Sequence, residues 1–158
     1  MTFDKQVENP RLIGAIEVMK NAPTVEHKQD FIGEMLKAEF MTPVIVTPDP
    51  IQSEDGRWQV PESPQFQFPT VVNKAGDKQF FLAFTDKEEM DKWEPTRGMH
   101  TYACTYEDFF IMLLKRNETP SNVPVSGFVI NPMGCNLIVD KDMMINLFVR
   151  KRPPKKQF

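Results

Sequence analysis

The chain has 158 residues, of which 41% are hydrophobic and 26% charged, a balance typical of one globular domain that can bury its own core. Two cysteines are too few for a disulfide framework, which favours a reducing, cytoplasmic setting. The amino terminus shows no signal-peptide pattern, and no apolar run approaches the roughly 20 residues that a membrane helix needs, so we expect no membrane association.

The first two predicted elements are helices. Asn9 followed by Pro10 is typical of a helix start, because the asparagine side chain can cap the helix and proline pre-sets φ at its first position. Thr24 is predicted to open a second helix, whose apolar residues repeat at spacings of three and four as far as Phe40. Pro43 is expected to end this second helix.

A short strand and a long loop are predicted next. The β-branched stretch at 44–47 indicates a buried strand. Residues 48–65 contain four prolines and a lone tryptophan, Trp58, and follow neither the helical nor the strand period. The sequence therefore predicts a long loop, with a short hairpin arm turning at Asp55 and Gly56.

A hairpin and a short helix are predicted in the middle of the chain. Two apolar runs flank residues 74–77, where Gly76 can supply the positive φ that a tight turn requires. Thr85 and Glu88 have the spacing of a capping box, which indicates a helix that ends before Pro95.

The last part of the predicted domain combines a strand, two helices and a hairpin. Residues 99–117 indicate a short strand leading into a helix, and residues 125–131 and 136–140 indicate a second hairpin. Asp140 is expected to cap a final helix. This order of elements predicts an α+β fold, a single domain in which helices pack on a mixed β-sheet of about five to six strands.

The carboxyl-terminal segment differs from the body in charge. Residues 150–158 hold five of the 19 lysines and arginines and no acidic residue, and the prediction is a disordered basic tail after a domain at 1–149. The body then carries 14 basic and 22 acidic residues, a net charge of −8. Because an acidic body repels phosphates, no nucleic-acid partner is expected.

Several segments resemble a known family. They are the helices from NPRLIGAIEVM to FIGEMLKAEF, the strand VIVT, the stretch GDKQFFLAFTDKEEMDKWEP, and a last part from DFFIMLLKRN through VSGFVINPMGCNLIVD to the final helix. With the strand that ends in AFTD and the later VINP strand, the chain is similar to the amino-terminal domain of the SseB (enhanced serine sensitivity) family. The resemblance implies an α+β domain and carries no catalytic signature.

The candidate catalytic residues are a cysteine and several acidic pairs. Cys135 is a possible nucleophile, but the two histidines, His27 and His100, are not placed by the sequence beside it, and a buried structural thiol is the favoured interpretation. Acidic pairs such as Glu88–Glu89 and Asp140–Asp142 fit helix starts. There is no glycine-rich phosphate motif and no metal-ligand spacing, so neither a cofactor nor a metal is expected.

The sequence thus favours a non-catalytic protein-binding or regulatory module. The candidate binding residues are Trp58, Asp49, Glu54, Asp55 and Glu62, an aromatic anchor among acids. The alternative role for Trp58 is to fold back over a sheet edge. Two alternative functions stay open: an immunity-type protein that masks a toxin partner, and a small enzyme using Cys135 or a carboxylate pair. The partner expected is a protein, and a homo-oligomer is possible.

Overall fold

The computed structural model describes residues 1–151, with side chains described as far as Phe148. The helices are α1 (Pro10–Asn21), α2 (Val25–Lys37), α3 (Lys87–Asp91), α4 (Tyr106–Asn117) and α5 (Lys141–Lys151), with a 3-10 turn at Glu94–Thr96. The strands are β1 (Thr2–Phe3), β2 (Glu39–Thr47), β3 (Ile51–Gln52), β4 (Trp58–Gln59), β5 (Gln65–Gln67), β6 (Thr70–Val72), β7 (Gln79–Ala83), β8 (His100–Thr105), β9 (Val125–Ile130) and β10 (Leu137–Asp140).

The strands form two four-stranded sheets and one two-stranded arm. The first sheet has the order β1-β8-β2-β5, the second β10-β9-β7-β6, and β3 pairs with β4. The second sheet is mixed, because β7 and β9 run parallel while its other pairs are antiparallel. The α+β class is confirmed, and the strands are distributed over three sheets where one was expected.

The core lies on both sides of the strands. The larger cluster joins the buried faces of α1, α2, α4 and α5 to the sheets, and at its centre the rings of Phe109 and Phe128 stack with centroids 4.7 Å apart. A second cluster on the opposite strand faces includes Phe80, Phe84 and Met90 of α3. Burying each of these large side chains stabilises the fold by about 1.5–3 kcal/mol, so the domain needs no disulfide.

The second helix is shorter than the apolar spacing predicts. It ends at Lys37, and Phe40 lies in β2, where it pairs with Cys104 of β8 and is fully buried. Phe40 therefore gains its burial from sheet pairing, not from a helical stripe. The predicted strand 44–47 is the second half of this nine-residue strand.

Pro43 lies inside β2 instead of ending a helix. Met41 exchanges two hydrogen bonds with Phe84, so the backbone groups of Met41, Pro43 and Ile45 all face the side of β2 away from β8. On that side Pro43 falls in the gap between the Phe84 bridge and β5, whose pairing begins at Ile45. Because no ladder bond is required there, the missing N–H of proline is tolerated.

The predicted Thr85–Glu88 capping box is also wrong. The cap of α3 is Asp86, whose side chain accepts a hydrogen bond from Glu89 N at 2.9 Å. Thr85 is fully buried and its hydroxyl accepts a hydrogen bond from Asn131 Nδ2 at 2.9 Å. The threonine lies in the connection after β7, and the aspartate after it caps the helix.

The two motifs that carry the family resemblance meet at this point. AFTD ends β7 and VINP ends β9, and these strands are parallel, so their carboxyl ends lie side by side. Thr85 N donates to Asn131 Oδ1 at 3.0 Å, and Asn9 Nδ2 donates to the carbonyls of Thr85 and Glu39, both at 2.8 Å. We call Asn9, Thr85 and Asn131 the polar junction; it links the start of α1 to both sheets.

The predicted side-chain cap at Asn9 is wrong: Pro10 begins α1 as predicted, but the Asn9 side chain makes no capping hydrogen bond and donates to the carbonyls of Glu39 and Thr85 instead. The following turns and caps are confirmed. Gly76 turns the β6–β7 hairpin with φ 73°, and β9 and β10 form the predicted second hairpin. Asp140 caps α5 by accepting from Met143 N at 2.8 Å. That helix continues to Lys151, two residues into the predicted tail, and 152–158 lie outside the described residues. Within the described part, every helix is too short or too polar to cross a bilayer.

Candidate functional site

Trp58 projects from the hairpin arm of the long loop. The arm pairs β3 with β4, and Ser53 N closes its turn on Arg57 O at 2.8 Å, around Gly56 with φ 84°. Trp58 packs edge-on against the ring of His100, with centroids 4.9 Å apart, and the tryptophan remains 44% exposed. The side chain therefore covers the start of β8 and also presents a large apolar surface to solvent.

His100 is held in place by the amino terminus. Its Nδ1 lies 2.8 Å from Asp4 Oδ2, and Asp4 Oδ1 accepts from Thr101 N at 3.0 Å. The ring of Phe3 lies 5.4 Å from the imidazole on another side. Phe3 of β1 and the adjacent Asp4 therefore fix the imidazole, and the imidazole supports Trp58. These contacts join the amino-terminal segment to the loop arm.

Two grooves meet at Trp58, and both are also lined by Met99 and His100. The first, which we call the edge groove, has a volume of about 500 Å³ and its other lining residues are Val44, Ile45, Val46, Asp49 and Pro50. The second has a volume of about 400 Å³ and includes Asp4, Met90 and Asp91, with Lys87 as its basic residue. Both grooves combine apolar walls with carboxylates.

Further apolar side chains are exposed on the strands that border the arm. Ile45 of β2 is 44% exposed and Phe66 of β5 is 42% exposed. Phe66 stands edge-on to Tyr102, with centroids 5.2 Å apart, which fixes its ring. Ile45 lines the edge groove together with Trp58, and we call these two residues the aromatic–aliphatic face. Phe66 pairs with Val46, so its side chain points to the opposite side of the sheet from Ile45. Exposed apolar groups of this size on neighbouring elements are typical of a protein interaction surface.

The predicted acidic residues have different surroundings. Asp49 lines the edge groove beside Trp58. Asp55 is used within the arm: it accepts from Ser53 Oγ and from Arg57 N at 3.1 Å, and these bonds lower the pKa of its carboxyl. Glu54 and Glu62 are exposed, and neither lines a groove described here. The structure therefore brings Trp58 and Asp49 together and assigns Asp55 to the turn.

No sequence pattern predicts the part played by Asp4. The β1–β8 pairing brings Asp4 to His100, 96 residues away along the chain. Asp4 has a positive φ of 51°. Asp4 has no motif around it that predicts this contact. The only local signal was a histidine at the start of a predicted strand.

Cys135 lies in the turn before β10, half-buried, with Sγ 3.3 Å from Ile130 O. Burial is the main reason that the pKa of its thiol is raised, so the neutral form predominates near pH 7. Cys104 is fully buried in β8, where burial raises its thiol pKa to about 12. His27 contacts Ala22 O at 2.6 Å, at the end of α1. No described contact joins either thiol to a histidine that can act as its base.

The carboxylates of the predicted pairs have different contacts. Glu89 forms an ion pair with Lys92 at 2.5 Å, and Asp140 caps α5. Glu88 lines a groove beside the start of α1 with Asp86 and Lys87. Among residues 1–151 no three histidine, cysteine or acidic side chains are grouped closely enough to hold a metal ion.

The fold and this surface define a small α+β domain whose loop arm presents a tryptophan above acidic grooves. The model of the SseB protein N-terminal domain matches residues 12–144, a range that includes both motif strands and the long loop. The chain belongs to that family, as its resemblance predicted. No curated protein and no solved structure gave a significant match.

Proposed function

We propose that this domain is a non-catalytic protein-binding or regulatory module that contacts its partner through the aromatic–aliphatic face. The observation that carries the proposal is the half-exposed Trp58 ring, held against His100 in the groove that Ile45 also lines. Tryptophan is enriched among the few residues that dominate binding energy, and it contributes most where surrounding groups exclude water.

The expected contribution of Trp58 can be estimated from its exposure. The ring and its neighbours leave 44% of the residue accessible, which corresponds to about 100 Å² of surface. Covering that surface contributes about 2–3 kcal/mol to binding. Because the contact with His100 already limits the movement of the ring, less side-chain entropy is lost when a partner covers it.

The charges around Trp58 favour a basic partner surface. Asp49 lies in the groove beside the ring, and Glu54 is exposed on the arm itself. Together with a body of net charge −8, these carboxylates attract a basic partner and accelerate its association at low ionic strength.

The same surface supports a second candidate, the immunity-type protein. In this proposal the partner is a toxin whose basic active site is masked by the domain, and the acidic groove beside Trp58 is the feature that favours it. Partner identity distinguishes the two candidates, because only the immunity role requires that binding abolishes a toxic activity.

The test begins with affinity purification from the native host and mass spectrometry, followed by titration of the purified partner. Trp58→Ala is expected to weaken partner binding about tenfold or more while the domain stays folded. Ile111→Ala is the matched control, since Ile111 is also exposed but lies on α4. Equal affinities for the wild type and Trp58→Ala would reject the proposal, and so would a loss of several kcal/mol in folding stability.

A further inference from the structure

The edge groove follows a stretch of β2 that has lost one neighbour. The pairing of β2 with β8 ends at Val44 and His100, because Gly98 takes a positive φ of 80° and the chain before β8 turns away. On the opposite side, β5 pairs with β2 as far as Thr47. The last three residues of β2, 45–47, therefore have a partner strand on one side only.

The direction of the backbone groups follows from the strand alternation. Met41 exchanges both its hydrogen bonds with Phe84, so odd-numbered residues of β2 face β7 and β5. The N–H and C=O of Val44 and Val46 face β8. At Val46 that strand has already departed, and among residues 1–151 no hydrogen bond is found to the Val46 backbone. The N–H donor and the C=O acceptor of Val46 are therefore unpaired and face the groove.

The lining of the groove agrees with this geometry. Successive side chains of a strand point to opposite faces, yet Val44, Ile45 and Val46 all line the same groove. A groove that is lined by all three residues must run along the edge of the strand. Met99 and His100 form its other side, and Trp58 contacts His100 there.

We propose that the edge groove binds a short extended segment of the partner protein, which continues the line of β8 and pairs with β2 at Val46. The proposal rests on the partner binding proposed above and names the form of the partner's contact. Strand addition supplies affinity through main-chain hydrogen bonds, and alternate side chains supply specificity. One set of these side chains contacts Trp58, and a lysine or arginine of the segment pairs with Asp49, the carboxylate in the groove.

The first test needs no ligand. Amide hydrogen exchange, measured by NMR on the full chain, is expected to be at least about tenfold faster at Val46 than at Ile45 and Thr47, whose N–H groups face β5. Equal protection of Val46 in the free protein would overturn the proposal, because its edge would already be bonded.

The second test uses a random heptapeptide library displayed on phage and selected on the full chain. The selected peptides are expected to be rich in β-branched residues with one lysine or arginine, and to slow exchange at the Val46 amide about tenfold at saturation. N-methylation of the peptide nitrogen that faces β2 should abolish binding. Asp49→Lys should weaken binding about tenfold. The control is Glu62→Lys, which changes an exposed acid outside the groove lining and should have little effect.

The outcomes separate this inference from the proposed function. Binding of the native partner that depends on Trp58 but leaves Val46 exchange unchanged would refute strand addition and keep the binding face. Peptides that bind without protecting Val46, or a selection that yields no peptide dependent on Asp49, would also refute strand addition. Loss of both the Trp58 and the Val46 effects would reject both proposals.

Discussion

Replacing Asn131 with alanine tests how much the polar junction stabilises the domain. The asparagine side chain accepts from Thr85 N at 3.0 Å and donates to Thr85 Oγ1 at 2.9 Å, and both residues are buried. Alanine removes both bonds and leaves the Thr85 N–H buried without its acceptor, which costs about 1–3 kcal/mol. Asn131 also has φ 47°, a conformation that costs alanine about 1–2 kcal/mol.

Together these terms predict that Asn131→Ala lowers the free energy of unfolding by about 2–5 kcal/mol. Asn131→Gly loses the same bonds without the backbone strain, so its loss should be smaller by about 1 kcal/mol. Asn136→Ala is the control, because Asn136 has a similar φ of 48° but is exposed, and only strain of about 1–2 kcal/mol is expected.

The measurement is urea unfolding of the three variants and the wild type, with the m-value checked for two-state behaviour. A loss of stability in Asn131→Ala no greater than that in Asn136→Ala would contradict the prediction. That result would mean that the junction bonds contribute nothing beyond the backbone conformation, and that the two family motifs meet without stabilising each other.

Three further predictions follow from single positions. Gly127→Ala should prevent folding or lower the stability by at least about 3 kcal/mol in a melting experiment, because φ is 141° there and the new Cβ would lie 2.1 Å from a β10 carbonyl oxygen. The control, Gly134→Ala, should lower the stability by less than about 1 kcal/mol, since the new Cβ would meet only the end of the Glu89 side chain. The folding stability should fall above pH 9, because the Cys104 thiol ionises there in the unfolded chain but stays protonated in the folded domain, where its pKa is about 12. The stability should fall by at most about 1.4 kcal/mol per pH unit, and this slope should be flatter in Cys104→Ala. Cys135→Ser should cost about 1–2 kcal/mol and leave partner binding intact; rapid alkylation of Cys135 at pH 7 would show instead that it is a reactive thiol.

Much of the fold was predictable because its signals are local. The cap at Asp140 and the turn at Gly76 depend on residues within a few positions of each other, and both were confirmed. The error at Phe40 and Pro43 had a different origin: apolar spacing fitted a helix, and the gap that tolerates proline exists only after β5 and β7 have paired beside β2. Which neighbour a strand leaves unpaired is not written in its own residues.

The candidate site was predicted only in part, because some of its contacts join residues that are far apart along the chain. Trp58 stood out as a lone aromatic residue in a polar loop, and Asp49 was grouped with it by proximity along the chain. The support of that tryptophan by His100 and Asp4 depends on β1 pairing with β8, which brings together residues almost a hundred positions apart. Asp55 was included because of its charge, and its carboxyl stabilises the turn of the arm instead.

The pairing of β1 with β8 also sets an order of events during synthesis. Thr2 pairs with Ala103, and Asp4 binds His100, so these residues have no partner until β8 has emerged from the ribosome. At about 5–20 residues per second, the wait for the intervening hundred residues is roughly 5–20 s. During that time β2, the other neighbour of β8, also lacks it, and the arm has no imidazole on which to rest. Until β8 emerges, the edge of β2 that later pairs with it stays unpaired, and an unpaired strand edge is a surface on which other chains can add.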